Sequence, residues 1–468
     1  MLFIPLFSVF AGLSVADSDC YPIVANSTGD TLTIIKTTTT PNGFSSAAKG
    51  WNSWGMQASP DTTPSYPSSL YPYVNQTFVI EQCTVLADAD ILAAGWTLCS
   101  IDDGWYSDIT DDYGRMVYNT TLFDMPTLAD YLHDLSLDLG LYNRPGIPCE
   151  AANKTIYGTD VTVGSTFSGV EDDNGYCYFD YDNANTQVYH NTLIDLWAYW
   201  GVDMIKLDYI TPGSSTGDAG YPSNSSASAI AYHQAIANSG RSIRLDLSSN
   251  VCRDEPNLGI WEANVESIRL PVDINSYGAS VFVGMWRIQQ IIEQYRQNIN
   301  YQVDAGKRMS LHPDLDDLFV ANPASVSGVT DGQRMTLMSF WLGASSNFLL
   351  GSDMTNIDDL GMQLLTSSAG SHAAEFCNGH PLQPRNPDTG SNQALQLQAW
   401  LSGPSGSGKA YVLLTNLGEN LGHGGYTTVT TGNGTVSVTL DDLGLMGSSY
   451  TVEWVWYGNK PTLASGGT

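Results

Sequence analysis

The chain has 468 residues, of which 42% are apolar, enough for one large domain with a real core and a smaller one beside it, so it is not a disordered segment. Eighteen basic against 48 acidic residues give a formal net charge of −30 at pH 7. That balance argues against nucleic acid and anionic membrane as partners and leaves a neutral substrate open.

Met1 to Ala16 is a short apolar stretch that closes on Ser14-Val15-Ala16, the pattern of a cleaved secretory signal peptide. Residues 1–16 are therefore expected to be a signal peptide and the mature protein to be secreted and extracellular. Residues 17–48 read as an N-terminal extension, with a strand expected at 32–36 and a threonine-rich linker after it. Sequons at Asn26, Asn75, Asn119, Asn153, Asn224 and Asn433 fit a secreted glycoprotein. Seven cysteines cannot all pair within one chain. Cys149 and Cys177 flank a polar, Gly- and Asp-rich loop and are expected to staple it, whereas Cys83 and Cys99 lie in apolar runs where buried free thiols are equally open.

From about residue 49 to 370, short apolar runs alternate with longer amphipathic stretches, within a catalytic barrel domain expected over 49–385. Strand ends fall near Trp54, Asp102, Tyr142, Asp208, Ser248, Asp273, Asp314 and Gly351, and helices are expected over 78–94, 122–138, 187–199, 227–239, 283–298 and 331–342. Eight strand-helix units predict an α/β chain folded as a (β/α)₈ TIM barrel, with its active site at the carboxyl ends of the strands. After the Pro- and Asn-rich stretch from His380 to Pro387, residues 386–468 read as an antiparallel β-sandwich domain, with strands at 394–401, 410–414, 426–431, 435–440 and 450–456.

Three strand ends deliver acids: Ile101-Asp102-Asp103-Gly104-Trp105, Ile205-Lys206-Leu207-Asp208 and Arg269-Leu270-Pro271-Val272-Asp273. Carboxylates converging with a cation and tryptophans suit acetal cleavage, which needs an acid and a nucleophile or base on opposite sides of one carbon. No Cys/His cluster has zinc spacing, and His312-Pro313-Asp314-Leu315-Asp316-Asp317 reads as a polar strand-end loop rather than a metal site.

On these motifs, together with Lys49-Gly50-Trp51-Asn52-Ser53-Trp54 and Gly351-Ser352-Asp353-Met354, residues 49 to 385 resemble the glycoside hydrolase family 27 α-galactosidases, or melibiases. The resemblance implies a retaining exo-glycosidase acting by double displacement on terminal α-D-galactosyl residues, without metal or cofactor. It implies Asp208 as nucleophile and Asp273 as general acid/base, with Asp102 and Asp103 accepting hydrogen bonds from sugar hydroxyls beside Lys206. Trp51 would offer an apolar wall to the sugar, Tyr142 would lie near the nucleophile, and Ser248 and Arg269 would complete the substrate-binding set. Lys206 is expected to lower the pKa of Asp208, and Arg269, on contact with Asp273, would favour its ionised form.

The sequence departs from the resemblance after the third strand, at Asn143-Arg144-Pro145-Gly146, and after the fifth, at Leu245-Asp246-Leu247-Ser248-Ser249. A β-L-arabinopyranosidase, an α-N-acetylgalactosaminidase or a non-catalytic sugar-binding protein on the same scaffold therefore stay open. Arg144 is expected either to meet an acidic or extended aglycone or to form a surface ion pair. The oligomeric state is not specified.

Overall fold

The computed structural model describes residue 20 and residues 34–58, 74–214, 220–276, 280–304, 306, 308–386, 392–429, 434–457 and 462–464. The expected signal peptide at 1–16 and the sequons at Asn26 and Asn433 lie outside the described residues.

Eight parallel strands form the centre: β1 (Lys49–Asn52), β2 (Leu98–Ile101), β3 (Asp138–Asn143), β4 (Val202–Leu207), β5 (Arg244–Leu247), β6 (Ser267–Arg269), β7 (His312–Asp314) and β8 (Phe348–Leu350). From β1 to β7 each pairs with the next in chain order, and β8 pairs with β1. Between β7 and β8 the ring is closed by single bonds, Asn347 N–H to Pro313 O at 3.0 Å and Leu318 N–H to Leu349 O at 2.7 Å. The fold is thus the expected TIM barrel. Its strands are short and buried on both faces, as in β2, where every residue is inaccessible. Gly50 marks the tightest approach: a Cβ there would sit 1.8 Å from Leu98 O on β2.

The helices surround this ring and fix its strand ends. Residues 227–239 and 331–342 form as expected, Ala227–Ser239 and Asp331–Ala344, the latter opened by a capping box between Thr330 and Gln333. The stretch expected as one helix over 78–94 is divided into Gln76–Cys83, a 3₁₀ turn Thr84–Ala87 and Ala89–Ala93. Asp88 causes the break, because its carboxylate accepts the Asp90 and Ile91 N–H groups and starts a new helix. Between β3 and β4 the chain makes an excursion containing a small antiparallel sheet of Ile147–Pro148, Phe167–Glu171 and Tyr176–Phe179. The expected Cys149–Cys177 staple closes it, and two further disulfides join Cys83 to Cys99 and Cys20 to Cys252, leaving Cys377 as a buried thiol.

The segment expected as a strand at 32–36 forms no strand in its described part, 34–36, and the next residue, Thr37, makes one isolated bridge to Met309. At the other end, antiparallel sheets form as expected. Strands β9 (Gln383–Pro384), β10 (Leu397–Ser402) and β11 (Tyr411–Asn416) make one sheet, and Ser449–Thr451 pairs with Thr462–Ala464. The described parts of 426–431 and 435–440 do not pair as strands; side chains take their backbone donors instead, Gln396 Oε1 from Val429 N–H at 2.9 Å and Asp442 Oδ2 from Thr439 N–H at 2.8 Å. Trp400 of β10 stacks on Tyr295 and meets Phe340 edge-on, which continues the barrel core into this sheet. Among the described residues, no helix is long and apolar enough to cross a membrane.

Candidate active site

Every acid singled out above sits at or just beyond the carboxyl end of a barrel strand. On β4, Lys206 lies in register between Tyr142 of β3 and Asp246 of β5, so its side chain enters the barrel among inward-facing groups. The Lys206 ammonium donates to Asp102 Oδ2 at 2.7 Å and lies 5.8 Å from the Tyr142 ring centroid. Burial opposes its charge, yet Asp102 and Asp208 overcome that cost and hold the ammonium above the ordinary lysine range. Asp102 is kept in place by its neighbours: its N–H donates to Ser53 Oγ at 2.8 Å, and its Oδ1 accepts Asp103 N–H at 3.0 Å. Asp103 accepts the Tyr106 hydroxyl.

Asp208 follows β4, with its Oδ1 accepting Tyr209 N–H at 2.8 Å. Burial raises its carboxyl above the usual range, outweighing the downward pull of Lys206 and Arg269. This corrects the expectation that Lys206 sets a low value: the cation is present, but it acts on an acid already withdrawn from water, beside the negative charges of Asp273 and Asp102. Asp273 stands four residues after β6 and remains partly open to solvent. The expected contact with Arg269 is made, and Trp54 Nε1–H donates to the other carboxylate oxygen at 3.2 Å.

Arg269 is almost wholly buried and divides its charge among three partners. It pairs with Asp273, with Asp316 Oδ2 at 2.9 Å, and donates to Ser248 Oγ at 3.2 Å. Asp316 Oδ2 also accepts Ile274 N–H at 2.6 Å, so it holds both the arginine and the backbone that carries Asp273. Trp51 is fully buried; its indole N–H donates to Ser352 O at 3.0 Å and its ring packs on Phe78. The indole that reaches the acids is Trp54. Tyr142 is buried beneath Lys206, and burial pushes its phenol well above the ordinary range.

Two contributors were not assigned from sequence. Trp54 stood inside a recognised motif without a role, and Asp316 stood in the loop read only as polar. The signal for Asp316 was present: an arginine entering a site with several acids needs partners from more than one strand end. His312 of the same loop is buried, with Nδ1 3.1 Å from Ser345 O, and is pushed down to about 4 by burial. Arg144 does form an ion pair, but a buried one, with the buried Asp172, rather than the expected surface pair.

Known proteins resemble this chain in sequence and in fold. The family pattern of alpha galactosidase A matches residues 49–192. A relative from Emericella nidulans whose name assigns it to the α-galactosidases is 55% identical over 410 residues, spanning 87% of this chain and 81% of the relative. Alpha-galactosidase 3 of Hypocrea jecorina is 44% identical over 448 residues, spanning 94% and 72%. In fold, a family 27 β-L-arabinopyranosidase of Geobacillus stearothermophilus superposes with a TM-score of 0.69 at 20% identity, covering 90% of this chain and 92% of that one. With strand-end acids, barrel and relatives in agreement, the chain belongs to the glycoside hydrolase family 27 α-galactosidases, or melibiases.

Proposed function

We propose that this protein is a secreted retaining exo-glycosidase that hydrolyses terminal α-D-galactosyl residues of oligosaccharides or polysaccharides by double displacement. The observation that carries the reading is the placement of Asp208 just after β4 and of Asp273 four residues after β6, two carboxyls at the same end of the barrel as the buried Asp102–Lys206 pair. The α-galactosidase names of the two sequence relatives supply the sugar.

In the first half-reaction Asp208 attacks the anomeric carbon while Asp273 passes its proton to the glycosidic oxygen, and the leaving alcohol departs. In the second, the Asp273 carboxylate takes a proton from water, the water oxygen attacks the same carbon, and Asp208 is expelled, so the configuration is retained. Protein side chains move every proton in this scheme, and no cofactor enters it. Asp102 and Asp103 receive sugar hydroxyls, a demanding contact because an epimer that misses them leaves buried charge unpaired. Residues 49–385 form the catalytic unit and 386–468 brace it. The three disulfides accord with an oxidising, extracellular setting.

Proton NMR of the first-formed sugar tests the mechanism, with the α-anomer expected; an inverted product would refute double displacement. Turnover of p-nitrophenyl α-galactoside above that of the β-L-arabinopyranoside and the α-N-acetylgalactosaminide tests the sugar.

A further inference from the structure

Beside the acids stands an aromatic rim that the scheme above does not use. Tyr209 follows Asp208 directly and is 36% exposed, whereas Trp51, Asp102 and Lys206 are buried. Its backbone is held at φ 55°, a left-handed conformation uncommon for tyrosine. The Tyr209 and Tyr221 rings lie 5.0 Å apart between centroids, at an interplanar angle of 41°. Beneath them the Arg144 guanidinium sits 5.3 Å from the Tyr209 centroid and 5.5 Å from that of Tyr221. Arg144 is in turn paired with Asp172, whose carboxylate also accepts the Tyr178 hydroxyl at 3.1 Å, the Tyr176 N–H at 3.0 Å and the Asn174 N–H at 2.9 Å. The cation is therefore compensated inside the protein, and it steadies rings whose outward aspect is uncharged.

Resting on the galactosidase reading, we propose that Tyr209 and Tyr221 form the leaving-group subsite, a stacking platform for the neutral pyranose ring to which the terminal galactose is joined. Exo cleavage puts the terminal sugar against the buried acids and directs the remainder of the substrate outward, across the exposed rim. The Tyr209 N–H donates to Asp208 Oδ1 at 2.8 Å, which ties the residue carrying the ring directly to the assigned nucleophile. A flat aromatic face accepts the C–H face of a pyranose and sheds water from it. An acidic aglycone gains nothing here, because Arg144 is already neutralised by Asp172.

The test compares melibiose, whose leaving group is a hexose, with α-galactosyl fluoride, whose leaving group has no ring. In Tyr209→Ala the ratio of kcat/KM for melibiose to kcat/KM for the fluoride should fall about tenfold, the equivalent of about 1.4 kcal/mol. Tyr209→Phe, which keeps the ring, should hold the wild-type ratio within about twofold, and Tyr221→Ala should move it in the same direction as Tyr209→Ala. Fluoride turnover by each variant also reports that it has folded. An unchanged ratio in both alanine variants overturns the platform and leaves the galactosidase reading standing. Failure of the wild type on both substrates overturns that reading and the platform with it.

Discussion

The Lys206 ammonium touches Asp102 but reaches Asp208 only through space, so the acids around it answer differently to substitution. Asp102→Asn breaks a buried ion pair and should lower kcat/KM by about 100-fold or more, since an uncompensated buried charge costs about 3 kcal/mol or above. Asp103→Asn, at a more open position, should cost about tenfold through weakened charge-assisted bonds and raise KM. Wild-type kinetics from both would reduce the twin acids to loop caps. Asp208→Ala should abolish turnover while leaving the melting temperature within a few degrees of wild type; residual activity above a few per cent would remove it as nucleophile. Burial raises Asp208, so the acidic limb of kcat/KM should have its midpoint above the ordinary aspartate value of about 3.9. A limb below that value would mean that Lys206 and Arg269 prevail after all. Asp316→Ala would leave Arg269 to Asp273 more exclusively, and the basic limb should move to lower pH; loss of activity without that movement would make Asp316 a purely structural partner. Acids on strand ends were legible in sequence because each stands beside its own apolar run. The Arg269–Asp316 and Trp54–Asp273 contacts were not, because they join different strand ends and depend on how the barrel closes.

At the scale of elements, the barrel works because neighbouring strands approach closely enough to bring their ends together. Gly50 shows how little room remains: with a methyl group 1.8 Å from Leu98 O, β1 and β2 would have to part. Ser53, just after β1, accepts the N–H of Asp102, just after β2, so parting the strands also shifts a site acid. Gly50→Ala should therefore destabilise the protein by about 1–3 kcal/mol and lower activity in the folded fraction as well. Thermal melts and active-site titration separate the two effects, and wild-type values for both would contradict the packing argument. The strand count and helices such as Ala227–Ser239 could be read from alternating patterns, which reflect burial on a predictable face. The excursion between β3 and β4 could not, because its small sheet is held by Cys149–Cys177 and the Arg144–Asp172 pair more than by any periodic apolar face. The loss of expected strands near 426–440 has a similar cause, with side-chain acceptors replacing a neighbouring strand.

For the whole molecule, a formal charge of −30 is combined with acids withdrawn from water. Among the described residues, burial raises Asp138, Asp208, Asp246, Glu266, Asp316 and Asp317, Asp316 to about 6. In Glu150 and Asp358 burial is outweighed by bonds from Lys154 and Arg334 respectively, and both are lowered. A carboxyl raised by folding keeps a proton that the unfolded chain has released, so its stabilisation is present below the unfolded value and is lost as pH rises through the folded one. For Asp316 that window runs from 3.8 to about 6. Buried His190 and His312, pushed down to about 4, act in the opposite sense as pH rises towards 6.5. Above 6.5 the histidines are spent, while burial raises Asp246 and Asp317 well above the usual range, in the same sense as Asp316. Self-repulsion among the surface acids does not relent there either. The melting temperature should consequently fall as pH rises through the range in which these carboxyls release their protons, on the scale of roughly 2–4 °C per kcal/mol for large domains. Asp246→Asn should flatten part of that decline, since an amide in its place has no proton to surrender while its oxygen can still accept the Ser267 hydroxyl. A melting temperature that holds steady or climbs over this range would show that the buried acids do not govern stability.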